Sequence, residues 1–173
     1  MDISILSKAS IKIRSRHAGI IVDPSMELPK ISSDAVILLK TDGFDLSRVV
    51  DYRIVINGPG EYEISGVKVL GVKGDKGFVY GISADGFSVI LGRSSDISKI
   101  KEDTYLSQIV ILNVDDEINA SAVTKLEPKI VILYGENKEA ALKILGKANL
   151  SPVKKYSTLK DKLPEEMEVI LLN

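Results

Sequence analysis

The side chains able to do chemistry are few, and two kinds are almost missing. His17 is the single histidine among 173 residues, and there is no cysteine. A catalytic zinc centre takes about three protein ligands from His, Cys, Asp and Glu and leaves one position open for water. A binuclear centre built from imidazoles is therefore excluded by counting. Hard cations accept oxygen ligands alone, which leaves Asp42 and Asp45 after one apolar run, with Asp23 as a third, and Asp115-Asp116 after another. Each has a plainer reading. Asp115-Asp116 precede an expected helix, where carboxylates meet unpaired N–H groups, and Asp42-Gly43 has turn chemistry. His17, between Arg16 and Ala18 at an expected turn, has no serine or cysteine motif to make it the base of a triad and reads as a surface histidine. Gly58-Pro59-Gly60 is not a phosphate loop, because no Gly-Lys-Ser/Thr follows it and no helix opens there.

The elements that must position these residues fall into two patterns. Alternating aliphatic and β-branched residues predict a starting meander over Ile3–Leu6, Ser10–Arg14 and Gly19–Val22, broken by Asp23-Pro24. The continuous apolar run Ala35–Leu39 predicts a strand buried on both faces. Tyr52–Ile56 and Glu61–Ile64 flank the Gly58-Pro59-Gly60 turn. Val67–Val72, Phe78–Ser83 and Phe87–Leu91 continue the meander, with a hairpin signal at Asp85-Gly86. From about residue 95 strands and helices alternate: strand Gln108–Val114, helix Ile118–Leu126 ended by Pro128, strand Ile130–Leu133, helix Lys138–Leu145 capped by Asn137 and closed by Gly146, and strand Glu168–Leu172. Antiparallel strands followed by β-α-β-α units imply a layered α/β sandwich.

Size and charge narrow the function classes. A chain of this length buries about 70% of its unfolded surface, so a single domain over 1–173 needs no metal or disulfide staple; its β-rich half is expected to run to about residue 92 and its βαβα half from 93 to 173. Apolar runs such as Ile130–Leu133 are far shorter than the roughly 20 residues of a membrane helix. The start lacks a secretory pattern, and with no cysteine a cytoplasmic location is expected. Twenty-three basic against 24 acidic residues give a net charge of −1. With no run of five like charges, nucleic acid is not an expected partner.

The stretch Val55–Val72, with its Gly-Pro-Gly-Glu-Tyr-Glu core, resembles a segment of the metallo-β-lactamase-fold hydrolases, in the branch of ascorbate-phosphate-lactonase-like proteins. Ile20-Ile21-Val22-Asp23-Pro24 looks like the family strand ending in Asp-Pro. Val89-Ile90-Leu91-Gly92 looks like the strand before a metal-ligating aspartate, and Glu127–Ile132 like the strand before the last ligand histidine. Leu163-Pro164 with Glu168–Leu172 resembles the closing strand. The resemblance covers nearly the whole chain and implies a four-layer αββα sandwich with mixed sheets and trimmed loops.

The ligands the family would carry are replaced. Where its His-x-His-x-Asp-His motif follows a buried strand, Lys40, Asp42, Phe44 and Asp45 stand here without a gap, while a one-residue shift keeps Asp45 at the aspartate; neither register restores a histidine. The later aspartate falls on Arg93, the last histidine on Gly135, an early histidine near Lys8, and a histidine-bearing loop is cut to Lys73-Gly74-Asp75-Lys76. The resemblance thus implies a protein with no metal and no cofactor. Its vestigial cleft would hold Lys8, Asp23, Lys40, Asp42, Asp45, Arg93 and Gly135. Glu61 and Tyr62 join Gly58, Pro59 and Gly60 as a structural turn. Cations at Lys8, Lys40 and Arg93 are expected to pair with Asp42 and Asp45, since buried carboxylates without counter-charge are costly. The expected role is a catalytically inactive binding or assembly module, with a protein partner or as a homo-oligomer and without nucleic acid or membrane. The alternative is a hydrolase on a small phosphorylated or lactone-like substrate, with a carboxylate-bound metal or none.

Overall fold

The computed structural model describes residues 1–99, 107–147 and 150–173. The strands are β1 (Asp2–Ile5), β2 (Ile11–Arg14), β3 (Gly19–Val22), β4 (Ile31–Ser32), β5 (Ala35–Ile37), β6 (Val49–Val50), β7 (Ile54–Ile56), β8 (Gly60–Ile64), β9 (Val67–Lys73), β10 (Phe78–Ala84), β11 (Phe87–Arg93), β12 (Ile109–Asn113), β13 (Ile130–Tyr134), β14 (Lys155–Ser157) and β15 (Glu168–Leu171). Helices α1 (Ala120–Thr124) and α2 (Lys138–Ile144) lie on either side of β13 in the chain. One sheet runs β14-β1-β2-β3-β5-β7, the other β15-β13-β12-β11-β10-β9-β8, and β4 pairs with β6 apart from both.

In each sheet an antiparallel part passes into a parallel one. The opening meander is β1, β2 and β3. β3, β5 and β7 then pair in parallel, with Val22, Ile37 and Ile56 in one row. β8 to β11 form antiparallel hairpins. Asp85 and Gly86 adopt φ values of 55° and 81° at the tight turn that their dipeptide predicts. From β11 onward β12, β13 and β15 pair in parallel, which aligns Arg93, Asn113 and Tyr134 across the carboxyl ends of three strands.

The alternating faces of the two sheets bury a common core, with Ile3, Ile13 and Ile20 from one side meeting Tyr80, Leu91 and Ile111 from the other. The continuous apolar runs of β12 and β13 are buried on both faces, because Val110, Leu112, Val131 and Leu133 also pack beneath Val123, Leu126 and Leu142 of the helical layer. On the far side of the first sheet Ile21, Val36 and Leu38 pack under Phe44, Leu46 and Tyr52. A 3-10 turn at Leu46–Arg48 and coil take the place of an outer helix there. The architecture is an αββα sandwich with mixed sheets and one trimmed outer layer.

Several local expectations change. The first helix is shorter than Ile118–Leu126, and its cap is Asn119, whose Oδ1 accepts from the Ala122 N–H at 3.1 Å. Asp115-Asp116 are therefore not its first turn. Asn137 makes no side-chain cap on α2; its Nδ2 donates to the Asp115 carbonyl at 3.1 Å. Gly146 closes that helix at φ 71°, as expected. Among the described residues no helix is long and apolar enough to cross a membrane.

Candidate functional site

The carboxyl ends of the parallel strands in both sheets bring chemistry-bearing side chains together, the usual place for a site in open α/β sheets. Proline at 24 ends β3, and Asp23 turns out of the strand at φ 44°. Its N–H donates to the Ile37 carbonyl at 3.0 Å, its Oδ1 accepts from the Leu39 N–H at 2.8 Å, and its carbonyl accepts from Ser10 Oγ at 2.5 Å. The side chain is thus fixed over the end of β5, and the residue is 3% exposed. Burial pushes the Asp23 carboxyl up to about 6, against the opposing pull of the Leu39 hydrogen bond and of the cations Lys40 and Arg93.

Across from it, Arg93 at the end of β11 forms a direct ion pair with Asp115, two residues past the end of β12. Ser94 Oγ donates to Asp115 Oδ1 and Ser95 Oγ to Oδ2, each at 3.0 Å. Burial alone would raise the Asp115 carboxyl, but Arg93 and the two serines outweigh it and hold it below the ordinary carboxylate value. The pair is therefore charged and well hydrogen-bonded. Tyr134, next in the same row, is fully buried, and its hydroxyl lies beside the Asn113 side chain without a well-formed hydrogen bond; burial, with the Asp23 carboxylate next, outweighs Asn113 and holds its proton on well above the usual pH. Tyr80 ties the two sheets together, donating to the Leu38 carbonyl at 2.9 Å. The loop after β9 is pinned by buried Asp96, whose Oδ1 accepts from the N–H groups of Lys76 (2.7 Å) and Gly77 (3.2 Å).

The structure distributes the expected cleft residues unevenly. Asp23, Lys40 and Arg93 share one electrostatic neighbourhood. Lys40 is half-buried and its ammonium folds back over Gly43, 2.7 Å from where a Cβ would sit. Gly135 follows Tyr134 directly, at φ 100°, and a Cβ there would lie 2.6 Å from Asn113 Oδ1. Lys8 is exposed on the β1–β2 turn and lines a cavity with Gly135. Asp42 is exposed. Asp45 starts the 3-10 turn, accepts from the Ser47 N–H at 3.0 Å and pairs with Arg48 at 3.2 Å. Among the described residues no ion pair joins Lys8, Lys40 or Arg93 to Asp42 or Asp45; Arg93 takes Asp115 and Asp45 takes Arg48 instead. The pairing read from sequence is corrected accordingly. Gly58, Pro59, Gly60, Glu61 and Tyr62 enter β8 with the Tyr62 hydroxyl donating back to the Gly58 carbonyl at 3.3 Å. That carbonyl lies 2.4 Å from where a Gly71 Cβ would be, so this turn packs directly on β9.

Asp96, Asn113, Tyr80 and Tyr134 were missed by the sequence reading, and Asp115, named there as a candidate carboxylate, was read as a helix start rather than as the partner of Arg93. Arg93-Ser94-Ser95-Asp96, a polar run at the end of an apolar strand, is the signal that points to this end of the sheet.

A metal does not fit these residues. Among the described residues no group of three or more His, Cys, Asp or Glu could hold one. His17 is exposed on the β2–β3 turn, and Asp23 and Asp115 are faced by Arg93 rather than by further ligands.

No family profile and no curated protein matches the sequence. Solved structures do. A candidate Zn-dependent hydrolase of the metallo-β-lactamase superfamily from Thermotoga maritima superposes with TM-score 0.76 at 19% identity, covering 99% of this chain and 98% of its own. A candidate metal-dependent hydrolase from Parabacteroides distasonis gives 0.65 at 17%, covering 99% and 93%. The metallo-β-lactamase fold protein YhfI from Bacillus subtilis gives 0.61 at 9%, covering 98% and 95%. The chain has the metallo-β-lactamase fold.

Proposed function

We propose that the protein is a catalytically inactive, metal-free version of this architecture, acting as a binding or assembly module with a protein partner or as a homo-oligomer. The observation that supports this is the Arg93–Asp115 pair. The resemblance puts a metal-ligating aspartate at Arg93, and a permanent guanidinium charge there repels a dication while satisfying the nearby carboxylate. The expected result of metal analysis on protein purified without chelator or affinity tag is no bound transition metal. About one equivalent per chain, as a structural or catalytic zinc would give, overturns the proposal.

One observation favours a second reading, a hydrolase for a small phosphorylated or lactone-like substrate. A buried carboxyl held near 6, as Asp23 is, suits general acid–base work near neutrality. Hydrolysis of a phosphate monoester or a lactone that disappears in Asp23→Asn would favour this reading over the first.

A further inference from the structure

We propose that a lysine-walled cavity at the carboxyl end of β13 binds a small phosphorylated molecule. The cavity is about 300 Å³ and is lined by Lys8, Lys138 and Lys154 with Ser7, over a floor that includes Leu6 and Leu172. No lining side chain is acidic; Asn173 also lines the cavity, so its main-chain carboxylate offsets one of the three lysine charges and leaves the balance positive. That volume is at the small end for ligand sites, enough for a phosphate group with a compact organic body.

The three lysines come from separate segments held in place by backbone hydrogen bonds. The β1–β2 turn carrying Lys8 is closed by the Leu6 N–H to the Ser10 carbonyl at 2.8 Å. The segment carrying Lys154 is tied to β1 by the Ile5 N–H donating to the Lys154 carbonyl at 3.0 Å. α2 is anchored by the Asn137 N–H donating to the Val114 carbonyl at 3.1 Å. Lys138 is the firmest of the three: its side chain is 11% exposed and its ammonium is held toward the Gly135 carbonyl at 3.4 Å. Its carboxylate neighbour is Glu139, 67% exposed and 4.0 Å away, a distance and exposure that neutralise little of the charge in water. Three lysines lining one concave, partly apolar cavity raise the local potential that attracts an anion. A phosphate monoester brings up to two negative charges, and the leucines accommodate its organic part. Overall charge balance and the small volume of the cavity argue against a polyanion.

This inference deepens the binding role proposed above and rests on it. Titration calorimetry at low ionic strength with inorganic phosphate and with phenyl phosphate tests it, with released phenol followed in the same samples. One saturable site is expected, tighter for phenyl phosphate. Lys138→Gln and Lys154→Gln are each expected to weaken it about tenfold or more, while Lys30→Gln, outside the cavity lining, binds normally. Absence of saturable binding, or wild-type binding by the folded Lys138→Gln and Lys154→Gln proteins, overturns the site and leaves the metal-free reading standing. Binding accompanied by phenol release supports the site and sinks the inactive reading instead.

Discussion

Replacing Asp23 with asparagine should stabilise the protein near neutral pH and do progressively less as the pH falls. In the folded chain the carboxyl titrates at about 6 rather than at its ordinary 3.8, chiefly because it is buried. A raised acid contributes its stability in the protonated form: the contribution is complete below the unfolded value and is lost as pH rises through the folded one. At about 1.4 kcal/mol per pH unit, ionised Asp23 costs the fold about 3 kcal/mol at pH 7.5 and about 1 kcal/mol at pH 4.5. Asparagine keeps an oxygen for the Leu39 N–H, 2.8 Å from Oδ1, and carries no charge to desolvate. Urea unfolding of both proteins across this range should therefore show the stability difference between Asp23→Asn and wild type growing by about 2 kcal/mol from pH 4.5 to pH 7.5. Taking the difference cancels the titration of every other group common to the two proteins. A constant offset would refute the reasoning, because it would mean that Asp23 ionises in the fold as it does in the unfolded chain.

Breaking the Arg93–Asp115 pair by Arg93→Met should cost about 2 kcal/mol, below the range for fully buried pairs because both side chains keep some solvent exposure and the serines still serve Asp115; a double-mutant cycle with Asp115→Asn in urea unfolding should show clear coupling, and additivity would count against the pair. Gly135→His should not restore metal binding and should destabilise by about 1–3 kcal/mol, because its φ of 100° disfavours a side chain and Asn113 fills the space; stoichiometric zinc in this variant would contradict that reading. Tyr80→Phe and Tyr134→Phe make an opposed pair in thermal melts: the first loses an inter-sheet hydrogen bond and should cost about 1 kcal/mol, whereas the second removes a buried hydroxyl that has only a poorly formed contact with Asn113 and should be neutral or stabilising.

What the sequence disclosed depends on how local the cause was. The doubly buried strands β12 and β13 were visible in their own continuous apolar runs, and the Asp85-Gly86 hairpin and the Gly146 helix end in their own backbone demands. β4 and β6 have two residues each, and Lys155-Tyr156-Ser157 forms an edge strand with little apolar alternation to announce it. The site followed the same division. The shortage of ligands was countable, but Arg93 finds Asp115 only because parallel pairing sets Arg93 beside Asn113, and no spacing along the chain encodes that register. Asp42 and Asp45 looked like cleft residues because they follow a buried strand. Gly43 at φ 74° reverses the chain there, and Asp45 is drawn into capping the following turn.

The same end of the sandwich treats its buried and half-buried carboxylates in different ways. Asp115 is neutralised by a guanidinium and two hydroxyls, whereas Asp23 is left with one backbone N–H donor and a raised pKa. Asp96 satisfies one oxygen on the Lys76-Gly77 backbone and leaves Oδ2 without a partner, and the Tyr134 hydroxyl has no well-formed hydrogen bond. Such debts are rare in a packed interior. Here both fall on residues near the carboxyl ends of β11 and β13, while the apolar core between the sheets is closed. Local rules are broken preferentially where a protein acts, and the unbalanced polar groups make this end the place to look for a site even though its residues do not suit a metal. The lysine cavity beside Gly135 opens on that face, and it is where a ligand for this chain should first be sought.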